Sequence, residues 1–141
     1  MIRLSPVGPQ AFGDSNNVLM VAGGSEANVL AKLSCFAPAI RGELVTALND
    51  DLAGRVSAAE LHKHKVGTAH VRWTRGQRNG IYFLEQGIGP IVARVDYDRS
   101  GSAIAQLEPD ERLFDVLDGA SACFISGITP ALSAACAKNT E

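Results

Sequence analysis

Gly23-Gly24-Ser25-Glu26-Ala27-Asn28 is the most informative stretch of this sequence. It lies between an apolar run with strand character, Val18 to Ala22, and an apolar helical pattern. The two glycines carry no Cβ, so the backbone can turn tightly and approach a ligand closely. Ser25 is a suitable helix N-cap, and Glu26 places negative charge in the first turn. The stretch predicts a strand, a turn and a helix start whose Asn28 amide is free to bind a small ligand. In many turns between a strand and a helix, however, a Gly-Gly pair only allows the backbone to turn and has no role in binding.

Composition is typical of an ordinary globular domain. The chain has 141 residues, 46% of them apolar and 20% charged, with a net charge of −2. The size suits one domain, and the near-neutral charge argues against a nucleic-acid-binding protein. No apolar run is long enough to cross a bilayer, and the first residues lack a signal peptide's apolar core. The three cysteines lie in apolar contexts without paired spacing, so we expect buried free thiols, a cytoplasmic protein and no metal site.

Two kinds of pattern alternate along the chain. Apolar runs and helical patterns at both ends predict a parallel α/β layer, while β-branched and aromatic runs in the middle predict an antiparallel meander. The predicted strands are residues 1–6, 18–22, 43–48, 69–74, 80–85, 91–97 and 122–126, and the predicted helices are 25–36, 52–63, 109–117 and 131–137. Only about three parallel strands are available, where a sheet usually has about five. The predicted fold class is therefore α/β, with an incomplete parallel sheet, helices and a small antiparallel lid.

Six segments in a fixed order resemble the pfkB-type carbohydrate kinases of the ribokinase-like superfamily, and among them the 2-keto-3-deoxygluconate kinases. They are RLSP at 3–6, GGSEANV at 23–29, LVTALNDDLAGR at 44–55, NGIYFLEQG at 79–87, RVDYDRSGSA at 94–103 and SGITPALS at 126–133. Each is short, but together they cover nearly the whole chain at compatible spacing. The resemblance implies that residues 1–141 are the N-terminal part of a pfkB kinase domain with a partial ribokinase-like fold and lid strands near 69–97.

The resemblance also implies which residues bind the substrate. They match a glycine-rich segment that lines the sugar-acid pocket, an aromatic residue of a lid strand, and a tyrosine and an arginine that bind the sugar and its carboxylate. The matched positions are Gly23, Gly24, Asn28, Tyr82, Tyr97 and Arg99. An arginine fork pairs bidentately with a carboxylate, and tyrosine rings offer a polyol an apolar face and a hydroxyl. Without the resemblance, the two tyrosines are interpreted as ordinary strand residues, and the arginine as a solvent-exposed charge in a turn.

The chain departs from the family pattern in several places. Asn79 stands where threonine is common, residues 34–37 replace a Leu-Gly ending of the first helix, and the first strand is largely missing before Ile2. The C-terminal part of the pattern, with its catalytic aspartate, anion hole and ATP pocket, has no counterpart. We therefore expect no catalytic residue here. ATP and Mg²⁺, the cofactors that the full-length family uses, are expected not to bind this chain well.

Other polar residues have simpler interpretations. Asp50 and Asp51 fit a carboxylate pair for Mg²⁺ or acid–base chemistry, but helix N-capping is the preferred interpretation. His62 and His64 are two residues apart, so on a helix they point to different faces and do not chelate one metal well. We expect both to be exposed.

We therefore hypothesise that the chain is the substrate-binding part of an ATP-dependent kinase. The substrate of this kinase is a small sugar acid, most closely 2-keto-3-deoxygluconate, and the chain alone is expected to be inactive. The alternatives are a non-catalytic sugar-acid-binding or dimerisation module, and the product of a truncated gene. A homodimer through the lid strands is a further expectation, with no nucleic-acid or membrane partner. Without the resemblance, the pattern suggests a dehydrogenase-type nucleotide-binding domain, but the GxGxxG fingerprint is absent.

Overall fold

The computed structural model describes residues 1–90, 92–110 and 115–141, which form two small sheets and several helices. Its strands are β1 (Ile2–Pro6), β2 (Val18–Ala22), β3 (Thr46–Asn49), β4 (Val71–Thr74), β5 (Ile81–Glu85) and β6 (Arg94–Asp98). Its α-helices are α1 (Ser25–Phe36), α2 (Leu52–Lys63) and α3 (Ala134–Lys138), with 3-10 turns at Phe12–Asp14 and Pro130–Leu132. The mixed α/β class with a partly parallel sheet is as the sequence predicts.

The larger sheet has the strand order β2-β1-β5-β6. β1 pairs antiparallel with β2 and parallel with β5, and β5 pairs antiparallel with β6. Directly opposite residues share a face of the sheet, so Val21, Arg3, Tyr82 and Tyr97 form one row across it. The prediction that β1 and β2 belong to the parallel layer is wrong, because β2 pairs antiparallel with β1, and β1 joins the sheet of the predicted meander through β5.

The smaller sheet consists of β3 and β4, which pair in parallel from Thr46↔Val71 to Asn49↔Thr74. The predicted three-stranded meander is therefore wrong for its first strand, which lies beside β3. The last predicted strand of the meander begins at residue 91, outside the described residues, and the observed strand starts at Arg94. A strand pattern identifies extended residues but does not specify the distant strand that accepts their hydrogen bonds.

Two predicted elements near the end of the chain differ from the structure. Residues 122–126 were expected to form a buried strand, but they are largely exposed and pair with no described strand. The predicted helix 131–137 is divided into a 3-10 turn and α3, because Ser133 is extended and its hydroxyl caps α3 by accepting from the N–H of Cys136 at 3.0 Å. The predicted helix 109–117 includes residues 111–114, which lie outside the described residues.

Apolar packing joins the helices to the sheets in two clusters. Ala27 of α1 packs against Leu61 of α2 and Val66, and Ala47 of β3 packs against Ala103 and Leu107. The expectation of three buried thiols is wrong for Cys35 and Cys123, which are exposed, and correct for Cys136; all three are free. No helix in the described ranges is long and apolar enough to cross a membrane.

Candidate sugar-acid-binding cleft

The glycine turn between β2 and α1 needs glycine at both positions, for different reasons. Gly24 is the N-cap of α1 and has φ +133°, a conformation that other residues rarely adopt. A Cβ at Gly23 would lie only 2.6 Å from the Tyr82 hydroxyl oxygen, so the tyrosine ring packs directly on the turn. The prediction that Ser25 caps the helix is wrong, because its hydroxyl donates to the Glu26 carboxylate at 2.8 Å. The turn therefore brings the backbone close to an aromatic residue of the larger sheet.

Tyr82 and Tyr97 form a pair across β5 and β6. They are directly opposite in register, and their ring centroids lie 5.6 Å apart at an interplanar angle of 31°. Burial raises the pKa of the Tyr82 hydroxyl, an effect that the positive charge of Arg3 opposes and Tyr97 reinforces. The Tyr82 hydroxyl is therefore protonated at neutral pH and can donate a hydrogen bond.

Arg99 lies beside this tyrosine pair, just after β6. Its guanidinium carbon is 4.5 Å from the centroid of the Tyr97 ring, within the range of a cation–π contact. The turn that carries it is fixed by Arg78, which donates to the Asp98 carboxylate at 2.6 Å and to its carbonyl at 2.9 Å. Nη1 of Arg99 is shielded from solvent and has no hydrogen-bond partner in the described chain. A shielded charged donor without an acceptor is costly, so this atom is prepared to receive an anionic group.

The structure brings all the sequence-predicted site residues to one cleft of about 1750 Å³. Those lining it are Gly23, Gly24, Asn28, Tyr82, Tyr97 and Arg99. Asn28 is exposed in the first turn of α1, where its side chain has no hydrogen bond to the rest of the described chain. The cleft thus combines a free amide, two aromatic rings and an available guanidinium.

Ser102 and Arg3 are polar residues of this region that the sequence reasoning did not assign to the site. Ser102 is 1% exposed and lines the cleft, and its hydroxyl has no partner within the described residues. Arg3 lies opposite Tyr82 on β1, and its Nε is also buried without a partner. Ser102 belongs to the same quoted segment as Tyr97 and Arg99, which was an available signal. For Arg3, only the pairing of β1 with β5 reveals the proximity.

Glu26 has a larger role than its predicted contribution to helix charge. One carboxylate oxygen accepts from the Ser126 N–H at 3.1 Å, from the Ser126 hydroxyl at 2.6 Å and from Thr129 at 2.7 Å. Burial disfavours the charged form, but these bonds, together with those from its own N–H and from Ser25, outweigh it and lower the pKa of Glu26 to about 2. Glu26 therefore joins the start of α1 to a segment a hundred residues away along one wall of the cleft.

A polar network at the start of α2 confirms the capping interpretation of Asp51. Its carboxylate accepts from the Gly54 N–H at 2.9 Å, from the Asn49 amide at 2.7 Å and from the Asn79 amide at 2.9 Å. The Asn49 and Gly54 hydrogen bonds lower the pKa of Asp51, with a smaller contribution from Asn79. Asp50 instead pairs with Arg55 at 2.6 Å on the surface. Asn79 thus has a structural role.

His62 and His64 each have a different neighbour. His62 and His64 are exposed, as expected; His62 contacts the Thr68 hydroxyl at 2.6 Å and His64 lies 3.7 Å from Glu60. Across the described ranges, no group of three or more histidine, cysteine, aspartate or glutamate side chains could hold a metal ion.

Comparison with known proteins agrees with the fold. A 2-dehydro-3-deoxygalactonokinase of Haloferax volcanii is 37% identical over 136 residues, which are 94% of this chain and 41% of that protein. A crystal structure of 2-dehydro-3-deoxygluconokinase from Thermotoga maritima superposes with a TM-score of 0.82 at 37% identity, over 94% of this chain and 40% of the other. A PfkB-family carbohydrate kinase from Listeria grayi superposes with a TM-score of 0.85 at 32% identity, over 95% of this chain and 41% of the other.

The chain therefore matches the PfkB-family carbohydrate kinases in both sequence and fold, as the six segments predict. Among the relatives it matches are kinases named for 2-dehydro-3-deoxy sugar acids. The chain spans about two-fifths of the length of these relatives. No protein-family model matches the chain.

Proposed function

We propose that this chain forms the acceptor-binding part of a sugar-acid kinase and binds a small 2-keto-3-deoxy sugar acid such as 2-keto-3-deoxygluconate. The observation that carries the proposal is the placement of Arg99, with a shielded and unpartnered Nη1, beside the Tyr82–Tyr97 pair in one cleft. Two relatives that the chain matches are named as kinases for sugar acids of this class. The proposal assigns the same function to the six residues that the sequence singles out.

Each group in the cleft suits a different part of such a ligand. The Arg99 guanidinium offers donors that fit a carboxylate, and Tyr97 below it holds the guanidinium in place. The tyrosine rings offer apolar faces to the carbon chain, while the protonated Tyr82 hydroxyl donates to a ligand oxygen. The Asn28 amide both donates and accepts, which suits a sugar hydroxyl. A carboxylate on the ligand is thus the feature on which binding should depend most.

Phosphoryl transfer depends mainly on positioning and charge stabilisation. ATP supplies the phosphoryl group in such kinases, with Mg²⁺ neutralising phosphate charge. No described group of three or more histidine, cysteine, aspartate or glutamate side chains could hold the metal, so we assign none of these residues to Mg²⁺. Glu26 lines the cleft, but a carboxylate with a pKa of about 2 and four accepted hydrogen bonds is a poor base. We therefore propose that the chain by itself binds the sugar acid without phosphorylating it.

Isothermal titration calorimetry of the purified chain with 2-keto-3-deoxygluconate tests the binding proposal. Arg99→Ala should weaken binding roughly 10- to 100-fold, because a hydrogen bond to a charged group contributes about 1.5–3 kcal/mol. Arg99→Lys should recover only part of the loss, since lysine lacks the planar fork. The matched control is Arg75→Ala, which removes an exposed arginine outside the cleft.

Three outcomes would contradict the binding proposal. They are no heat with the sugar acid, equal affinity for a neutral sugar such as fructose, and equal loss of binding in the two alanine variants. A coupled assay for ADP release tests the lack of turnover separately. Activity of the purified chain above the background of ATP hydrolysis would refute that part alone.

The edges of the larger sheet support the proposal of a homodimer through the lid strands. β2 and β6 are its edge strands, and β6 is exposed throughout. Leu19 and Met20 of β2 also expose apolar side chains. Light scattering after gel filtration tests this, and a monomer at all concentrations would refute it. The three free thiols fit our further proposal of a cytoplasmic location, where thiols stay reduced.

A further inference from the structure

Ser102 is a buried polar residue in the wall of the cleft whose hydroxyl is not satisfied. It is 1% exposed and lines the cleft, and its Oγ has no hydrogen-bond partner among the described residues. Ser57 on α2 is buried to a similar degree, at 2% exposed, but its hydroxyl donates to the Ala53 carbonyl at 3.0 Å. Buried hydroxyls are normally paired in this way, so we expect the Ser102 hydroxyl to find its partner in a bound molecule.

The backbone holds Ser102 beside Arg99. The Ser102 N–H donates to the Arg99 carbonyl at 3.2 Å, which closes a tight turn, and Gly101 within this turn has φ +63°. A Cβ at Gly80 would lie 3.2 Å from the Cβ of Arg99 and 3.7 Å from the Cβ of Ser102. The two side chains therefore flank Gly80, which also lines the cleft.

Arg99 lacks an acceptor in the same place. Its Nη1 is shielded from solvent and has no partner in the described chain, so it does not bond to the Ser102 hydroxyl. The carboxylates nearest to Arg99 in sequence are already paired. Asp98 accepts from Arg78 at 2.6 Å, and Asp96 lies 2.9 Å from Arg94. One turn thus carries two shielded polar atoms that have no partner among the described residues.

A carboxylate on the ligand would satisfy both atoms at once. An arginine N–H can only donate, so a partner that the two atoms share has to accept, and a serine hydroxyl can also donate. A carboxylate has two oxygens, so one can accept from Nη1 and the other from the Ser102 hydroxyl. Hydrogen bonds to an ionised acceptor are about twice as strong as neutral ones, and a site shielded from water strengthens them further. A neutral sugar hydroxyl offers only one oxygen and no charge.

We propose that Ser102 is a specificity-determining residue of the cleft, and that its hydroxyl donates to the same ligand carboxylate that Arg99 binds. The arginine side chain has several rotatable bonds, so its guanidinium can shift over the Tyr97 ring and admit the carboxylate to the two shielded atoms. Arg99 supplies the opposite charge and Ser102 fixes the second oxygen, so together they select sugars with a carboxylate over neutral sugars. This assignment rests on the proposed sugar-acid binding and adds a residue to it.

Calorimetry with two ligands tests the assignment. The ligands are 2-keto-3-deoxygluconate and its primary amide, which keeps the shape of the acid but removes the charge and one acceptor oxygen. Ser102→Ala should weaken binding of the acid about tenfold or more, because it removes a hydrogen bond to a charged group. It should weaken binding of the amide about threefold or less, because a neutral hydrogen bond contributes less. The matched control Ser57→Ala removes an equally buried hydroxyl outside the cleft and should leave both affinities within about twofold.

A second variant keeps the test decisive if Ser102→Ala does not fold, which circular dichroism melting checks. Ser102→Cys keeps the size of the side chain but has only a weak donor, so it should also bind the acid more weakly than the parent.

Three results would overturn the assignment. An unchanged affinity of the Ser102 variants for the acid would show that the hydroxyl does not contact the ligand. An equal loss for the acid and the amide would indicate a structural role, as would an equal loss in Ser57→Ala. In each of these cases the parent chain still binds the sugar acid, so the proposed function stands. No heat from the parent chain with the acid would instead overturn the proposed function and this assignment together.

Discussion

Replacing Glu26 with glutamine should destabilise the chain in a pH-dependent way. Glutamine keeps an oxygen that can accept from Ser126 and Thr129, but it removes the negative charge and the second acceptor oxygen that Ser25 uses. Hydrogen bonds to a charged group contribute about 1.5–3 kcal/mol each and neutral ones about 0.5–1.5 kcal/mol. The variant should therefore lose stability although it keeps the size of the side chain.

The pKa of Glu26 gives the magnitude. It falls from 4.5 to about 2 on folding, and each pKa unit corresponds to about 1.4 kcal/mol. The full shift would be about 3 kcal/mol, but the carboxylate is only half-buried, so solvent screening reduces the expected contribution to about 2 kcal/mol. Because the folded pKa is the lower one, this stability is fully present above about pH 4.5 and is lost as the pH falls toward 2.

Urea unfolding at pH 7, 5, 4 and 3 compares the parent chain with Glu26→Gln. The expected difference in the free energy of unfolding is about 2 kcal/mol at pH 7, and it should shrink steadily below about pH 4.5. Glu108→Gln serves as the control, since it changes an exposed glutamate whose side chain makes no hydrogen bond or ion pair with the described residues. A difference below about 0.5 kcal/mol at pH 7, or one that stays constant from pH 7 to 3, would refute the reasoning.

Two further substitutions test the packing of the site and the network at α2. Gly23→Ala should displace the Tyr82 ring, because the new Cβ would lie 2.6 Å from its hydroxyl oxygen. Calorimetry should then show weaker binding of the sugar acid. In the control Gly13→Ala, the new Cβ would have no neighbouring atom within 4 Å, so this variant should bind like the parent. Unchanged binding in both variants would contradict this packing. Asp51→Ala should lower the free energy of unfolding by about 3 kcal/mol, since it removes the helix cap and the carboxylate that accepts from the buried amide groups of Asn49 and Asn79. Asp50→Ala breaks an exposed ion pair and should change the free energy of unfolding by less than about 0.5 kcal/mol. Similar losses of stability in the two variants, measured by urea unfolding, would contradict the assignment of Asp51 as the cap.

Local chemistry made several features predictable from the sequence. The bounds of α1 and α2, the glycine turn and the capping by Asp51 depend on residues that are near each other in the chain, so their pattern is enough. The six site residues were identified by resemblance to a family, and the structure places them around one cleft. That they bind the sugar acid remains a prediction.

The pairing of the strands and the contacts between distant polar groups are visible only in the folded chain. The patterns show that β1 and β4 are extended, but β1 pairs with β5 and β4 pairs with β3, which are distant in sequence. Because strands pair through backbone groups that all residues share, the side chains of a strand do not identify its partner. The contact between Glu26 and Ser126 was likewise not predictable, because the two residues are a hundred positions apart in the sequence. Residues 122–126 show the converse: the sequence determines an apolar segment fit to be a strand, but a strand forms only where a neighbouring backbone accepts its hydrogen bonds, and the described fold provides none.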